Sequence, residues 1–115
     1  MITILHNNRC GKSRAAVQFL ESKGIDFETR LYLDSPLSEV EIEEVLKKLE
    51  LPADELIRKN EELWKEKFSS VSYSQQGLIS ILANYPKLLL RPIVIMENKA
   101  IIARDLEKLE QFLNS

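Results

Sequence analysis

The sequence predicts an α/β fold: a four-stranded mixed sheet made by a β-α-β half and a β-β-α half, with a helical insertion between them. Three observations predict it. The apolar run Met1-Ile2-Thr3-Ile4-Leu5 leads through a polar loop into a helical pattern. A β-branched run near the C-terminus, Pro92–Met96, is followed by a tight turn, a short second run and an amphipathic segment. Between them, over residues 38–85, the apolar residues fall at helical spacings.

Each element has its own justification. Met1–Leu5 reads as a short buried strand, and Asn7–Gly11, rich in turn formers, as a loop. From Ser13 to Lys23, Ala16, Val17, Phe19 and Leu20 recur at helical spacing, and Gly24 stands where a C-cap glycine ends a helix. Asp26–Leu33 alternates loosely through Phe27, Leu31 and Leu33 and reads as a second strand. Strand, helix, strand with short connections is a right-handed crossover, so these two strands run parallel. After the loop Asp34-Ser35-Pro36-Leu37, Ser38 opens a helix with Glu41 placed to complete a capping box. Ile42, Val45, Leu46 and Leu49 form the apolar stripe of that helix. Pro52 punctuates, and Ala53–Ile57 suits one or two short helical turns. Glu61–Lys67 is helical and so highly charged that it is expected to be exposed. Ser74 is placed to cap Gln75–Asn84, whose Leu78, Ile81 and Leu82 face inward, with Pro86 beyond the end. Pro92–Met96 is a strand, Glu97-Asn98-Lys99 a tight turn, and Ala100–Ala103 the returning strand of a hairpin. Asp105–Leu113 is a last helix with Leu106, Leu109 and Leu113 on one face.

This order is thioredoxin-like, with helices inserted in the middle. One domain is expected over residues 1–115, its core formed by 1–37 and 86–115 and its helical insertion by 38–85. A chain of 115 residues suits a single domain that buries roughly two-thirds of its unfolded surface. The composition, 44% hydrophobic and 30% charged, is that of an ordinary soluble protein. A net charge of −2 gives no basic excess for nucleic acid. No segment is long and apolar enough to span a bilayer, and Met1–Leu5 is too short for the apolar stretch of a signal peptide. The single cysteine cannot form an intramolecular disulfide, which fits a reducing, cytoplasmic compartment. One cysteine and one histidine fall short of a metal ligand set, and the three glycines form no phosphate loop, so no bound metal or cofactor is expected. Nothing in the sequence signals oligomerisation, and a monomer is expected.

The most informative residue is Cys10, at the junction of the first strand and first helix. A helix N-terminus presents unpaired N–H groups and the positive end of a macrodipole, where a thiol ionises more readily. The surrounding His6-Asn7-Asn8-Arg9-Cys10-Gly11-Lys12-Ser13-Arg14 adds cations, amides and a hydroxyl. The alternative is a buried structural thiol, against which the basic neighbours and the glycine argue. Ser13 can reach back toward the sulfur or cap the helix, and Arg14 adds positive charge. His6 can tune the thiol or be a packed strand-end histidine. A thiolate handling an anion needs a counter-charge, and arginine offers a planar, permanently charged fork. Arg58, Arg91 and Arg104 sit where loops can converge on Cys10. Arg58 and Arg104 can equally be surface ion-pair residues, beside Glu61-Glu62 and Asp105 respectively. Arg91 is the stronger candidate: it precedes Pro92 at a strand start, where this fold uses a cis bond.

Taken together, His6-Asn7-x-x-Cys10-x-x-Ser13-Arg14, Leu31-Tyr32-Leu33, Ile57-Arg58-Lys59-Asn60 and Pro86-x-x-x-x-Arg91-Pro92-Ile93-Val94 resemble the glutaredoxin-coupled arsenate reductase (ArsC-like) family. The resemblance implies an oxidoreductase of arsenic detoxification. In that role Cys10 attacks arsenate and forms a thiol–arsenate adduct, while Arg58, Arg91 and Arg104 hold the oxyanion. His6, Ser13 and Arg14 support the thiolate, and Pro92 is the cis-proline. Glutathione acts as co-substrate, glutaredoxin resolves the mixed disulfide, and arsenite leaves. Asn8 stands where many relatives have proline, and Arg104-Asp105 where the arsenate reductases carry an Arg-Pro type of sequence.

Two other functions fit the same residues. One is a transcription regulator of the Spx type that binds RNA polymerase. Redox-sensing members carry a Cys-x-x-Cys pair, and Ser13 here rules out such a switch but not binding. The other is general glutathione-dependent thiol–disulfide exchange, with the arginines serving the tripeptide's carboxylates.

Overall fold

The computed structural model of this chain describes residues 2–115. It divides into two compact units: one takes the chain up to Ser35 and again from Arg91 onward, the other is Pro36–Leu90.

The first unit holds the sheet. Strand β1 (Ile2–His6) pairs in parallel with β2 (Phe27–Leu31) and antiparallel with β3 (Ile93–Ile95), which pairs antiparallel with β4 (Ala100–Ile102), giving the order β2-β1-β3-β4. Of the strand expected over Met1–Leu5, Met1 lies outside the described residues. Helix α1 (Gly11–Ser22) crosses between the parallel strands. It starts two residues before the expected Ser13, because Arg14 N–H already reaches the Cys10 carbonyl at 2.9 Å. Its end is a Schellman turn: Ile25 N–H bonds Leu20 O at 3.2 Å and Gly24 N–H bonds Glu21 O at 3.0 Å, with Gly24 left-handed at φ 67°. The last helix of the chain, Leu106–Leu113, is capped by the Asp105 side chain. Ile4, Ala16, Leu20, Val94, Ala103 and Leu109 form the core of this unit, with Val17, Phe19, Phe112 and Leu113 packed around them.

Two expectations about this unit are corrected. The second strand stops at Leu31, because Asp34 and Ser35 N–H fold back onto the Leu31 carbonyl at 3.0 and 2.9 Å. Leu31 and Leu33 are consequently exposed, and the residue between them, Tyr32, is the one fully buried. Leu106 is also exposed: it is the first residue of its helix, and the inward stripe is Leu109, Phe112 and Leu113.

The second unit is helical. Helix α2 (Glu39–Leu49) opens with the complete Ser38–Glu41 capping box and packs Ile42, Val45 and Leu46 inward. It ends on Glu50 in the left-handed region at φ 57°. A 3-10 turn follows at Ala53–Leu56, then α3 (Glu62–Lys67) and α4 (Gln75–Asn84), the latter capped by Ser74, and a second 3-10 turn at Pro86–Leu88. With these in place the chain's last helix is α5. Helix α3 exposes its charges as expected, but Trp64 is 8% exposed and joins Phe68 and Tyr73 in an aromatic cluster. The indole carries the largest apolar surface of a helix otherwise mostly charged, with Leu63 half-buried beside it, and that surface outweighs the charged neighbours. Ile57 bridges Leu89, flanked by Arg58 N–H on Leu88 O at 2.7 Å and Leu90 N–H on Leu56 O at 2.9 Å. No helix among the described residues is long and apolar enough to cross a membrane.

Leu20 contacts both sheet and helix in the first unit's core. Leu20→Ala is expected to lower unfolding free energy by about 2–5 kcal/mol, read as a shifted urea midpoint, whereas Leu106→Ala at the exposed helix start should change it by less than about 0.5 kcal/mol.

Candidate active site

The site is built where β1 ends and α1 begins. Cys10 is the N-cap residue of α1, in extended conformation at φ −99°, ψ 123°. Its own N–H closes the loop on the Asn7 carbonyl at 3.0 Å, and Asn7 Oδ1 accepts the Arg9 N–H at 3.0 Å. This is the turn that asparagine makes well, and it presents residues 8 and 9 outward while drawing Cys10 in. The thiol is half-buried and unpaired with any other sulfur.

Ser13 is fully buried. Its hydroxyl accepts the Asn7 N–H at 3.0 Å and shares a hydrogen bond with Nδ1 of His6. The hydroxyl is therefore spent on the loop and on His6 rather than on the sulfur. What Ser13 offers the thiol is its backbone N–H, together with that of Lys12. The sequence predicts helix-start amides at the thiol and a loop at 7–11, but it assigns the role of Ser13 to its side chain and does not single out the Asn7 turn. A backbone donor leaves no trace in residue identity, although the Asn7-Asn8 pair is a turn signal.

Three effects set the ionisation of Cys10. Burial raises its pKa and is the largest single influence. Opposing it are the Ser13 and Lys12 N–H groups, then the Arg91 guanidinium acting as a charge and as a hydrogen-bond donor. Together these outweigh burial and hold the thiol below its ordinary value. No full side-chain cap bond is formed, so the amides act at longer reach, as dipoles aimed at the sulfur. His6 is also shifted down, first by burial and then by the charge of Arg14, so its ring is neutral at neutral pH. Arg14 itself turns to the Asn8 carbonyl at 3.1 Å and braces the loop from outside.

The candidate arginines are placed differently. Arg91 lies in the same unit as Cys10 and acts directly on it. Its bond to Pro92 is cis, and its Nε is buried with no hydrogen-bond partner among the described residues. Arg104 is exposed, in the turn between β4 and α5. Its neighbour Ala103 donates to the Pro92 carbonyl at 2.8 Å, which ties that turn to the residue following Arg91. Arg58 belongs to the second unit, where its Nη1 pairs with Glu61 Oε2 at 3.2 Å. Among the described residues no group of three His, Cys, Asp or Glu side chains is placed to hold a metal ion.

A four-stranded β2-β1-β3-β4 sheet with a free cysteine at the mouth of α1 and a cis X-Pro leading into β3 is the thioredoxin-like class. Comparison narrows it. The ArsC family model matches residues 5–112, and the chain belongs to the ArsC family. It is 40% identical over 114 residues to the arsenate reductase of Neisseria meningitidis serogroup A, spanning 97% of each chain. The solved arsenate reductase from Vibrio cholerae is 33% identical and superposes with a TM-score of 0.90 over 96% of this chain and 95% of that one. The global transcriptional regulator Spx 1 of Bacillus cereus is more distant, 29% identical over 98% of this chain and 87% of the regulator.

Alkylation of Cys10 by iodoacetamide should follow a pH midpoint below the free-thiol value of about 8.5, and Arg91→Ala should raise that midpoint. Stability follows by linkage. Between the lowered native pKa and the ordinary unfolded one, only the unfolded chain holds the thiol proton, so stability rises with pH. Compared with Cys10→Ser, the wild type should gain stability across that window. The gain is complete above the unfolded value and is lost as pH falls through the native one.

Proposed function

We propose that this protein is an arsenate reductase in which Cys10 is the nucleophile and Arg91 the principal oxyanion ligand. The observation that carries the reading is the pairing of a thiol held below its ordinary pKa with a guanidinium whose buried Nε is unsatisfied. A buried donor without a partner costs about 1–3 kcal/mol. An oxyanion bound beside Cys10 supplies the missing acceptor, and membership of the ArsC family supports arsenate as that oxyanion.

The Cys10 thiolate attacks arsenic and forms an S–As bond, while one arsenate hydroxyl, protonated from solvent, leaves as water. The thiolate of glutathione then attacks the Cys10 sulfur. A disulfide forms, the S–As electron pair passes to arsenic, and arsenite departs. A glutaredoxin removes the glutathionyl group by thiol exchange and returns Cys10 to the thiolate. The solitary cysteine supports an external resolving thiol. Arg104 and Arg58 are proposed as further oxyanion ligands, Arg104 on its link to Pro92 and Arg58 on the resemblance alone. His6, Ser13 and Arg14 support the thiolate through the loop they brace. The proposed setting is cytoplasmic and the proposed state monomeric, with no bound cofactor.

In an assay coupling arsenate, glutathione and glutaredoxin to NADPH oxidation, Cys10→Ser should abolish turnover. Arg91→Ala should lower kcat by about a hundredfold, the usual loss for one oxyanion donor. A wild type without arsenate-dependent NADPH oxidation refutes the assignment to arsenate. Binding to RNA polymerase subunits in its place would favour the regulator reading.

A further inference from the structure

A recess of about 300 Å³ opens beside the thiol loop, lined by Asn7, Asn8, Arg9, Leu31, Leu33 and Asp34. That is the lower end of the ~300–1,000 Å³ usual for small-molecule sites. Its two segments leave the same end of a parallel strand pair, since His6 and Leu31 are the last partners of β1 and β2. Ligands in open α/β sheets gather at that carboxyl end. The lining has a distinct chemistry. Leu31 and Leu33 are 37% and 41% exposed, apolar surface that the edge strand leaves uncovered. Arg9 and Asp34 are both exposed, and no ion pair among the described residues engages either. The loop side is held in shape by the Asn7–Arg9 turn at 3.0 Å and by the Arg14–Asn8 bond at 3.1 Å.

One free cation, one free anion, asparagine amides and two leucines ask for a ligand with a carboxylate, an ammonium, amide bonds and an aliphatic stem. An inorganic oxyanion does not fit, because Asp34 repels it. We propose that this recess binds the peptide portion of the resolving thiol, a small zwitterionic tripeptide thiol of the glutathione type. Arg9 takes a carboxylate, Asp34 the α-ammonium, and Leu31 and Leu33 the stem. Arg9 immediately precedes Cys10 in the thiol loop, so a tripeptide held here is anchored on the segment that carries the sulfur, with its own thiol extending out of the recess toward Cys10. The inference rests on the reading that an external thiol resolves Cys10, and it names the surface that selects that thiol.

The test uses exchange between Cys10 and oxidised glutathione, which needs no arsenate. The thiolate attacks one sulfur, a new disulfide forms, the old one breaks, and glutathione thiolate leaves with the electron pair. The neutral 2-hydroxyethyl disulfide is run in parallel, and iodoacetamide rates correct for any change in thiolate fraction. Arg9→Glu should slow the glutathione reaction by about tenfold while leaving the hydroxyethyl reaction unchanged. Asp34→Lys decides between recognition and simple charge steering. Steering predicts that an added cation speeds reaction with an anionic disulfide; loss of the ammonium partner predicts a severalfold slowing. A faster or unchanged rate in Asp34→Lys, or parallel changes with both disulfides, overturns the proposal. Failure of arsenate reduction alone would refute the substrate reading and leave this result to be judged by itself.

Discussion

The Ser13 hydroxyl is the fixed point of the site. It is buried without exposure to solvent and joins the end of β1, through His6, to the loop amide of Asn7. A buried hydroxyl must find partners or cost free energy, and both partners here lie upstream of the helix that carries Ser13. Strand, loop and helix are thereby locked into one geometry. Cys10 N–H on Asn7 O and Arg14 N–H on Cys10 O follow from that lock. The sulfur is left at the helix mouth with the Lys12 and Ser13 amides turned toward it. Loss of the hydroxyl would remove the one side-chain link between His6 and the Asn7 amide, leaving the Asn7 carbonyl and side chain still bonded to Cys10 and Arg9.

Electrostatics in this site is a contest between opposing effects. Burial alone would make Cys10 a poor nucleophile, and it is the largest single influence. Two amides and one guanidinium reverse the outcome. The helix contributes by what it lacks. Helices α2 and α5 carry Glu39, Glu41 and Glu107 in their first turns, which neutralise the positive end of each dipole; α1 has no acidic residue there. The end of α1 is therefore left for the thiolate. His6, lowered by burial and by Arg14, stays neutral and adds no competing cation beneath the loop. Arg14 bears on the site through the loop it braces at the Asn8 carbonyl, not by facing the sulfur.

Much of this was legible in the sequence, and the remainder was not for identifiable reasons. The order of strands and helices followed from periodicity and from caps such as Ser38-x-x-Glu41 and Ser74, whose side chains announce their role. The cysteine announced itself by position between Leu5 and Ala16. Trp64 did not, because its charged neighbours Glu61–Lys67 dominate any average over the helix. Leu31 and Leu33 misled because alternation says which residues share a face, not whether an edge strand has that face covered. Tyr32, between them, took the buried place once the Asp34 and Ser35 amides had captured Leu31. That helix-start N–H groups and Arg91 would favour the thiolate was legible from the position of Cys10; which amides act, those of Lys12 and Ser13, was not, since every residue has a backbone N–H. Only the turn at Asn7 hinted that these particular ones would converge.

The position of Ser13 also bears on why the thiol stands alone. In a Cys-x-x-Cys arrangement the residue three beyond the nucleophile is a second thiol, available to close a disulfide. Here that position carries a hydroxyl already committed to two partners in a site with no solvent access. A thiol is a weaker donor and acceptor than a hydroxyl and is larger, so it would not replace those bonds. The same residue therefore fixes the loop that activates Cys10 and leaves no room for an internal resolving sulfur. If turnover oxidises Cys10, the chain holds no second cysteine to reduce it again. The geometry of the thiol loop and the lack of a second thiol three residues on trace to one buried oxygen.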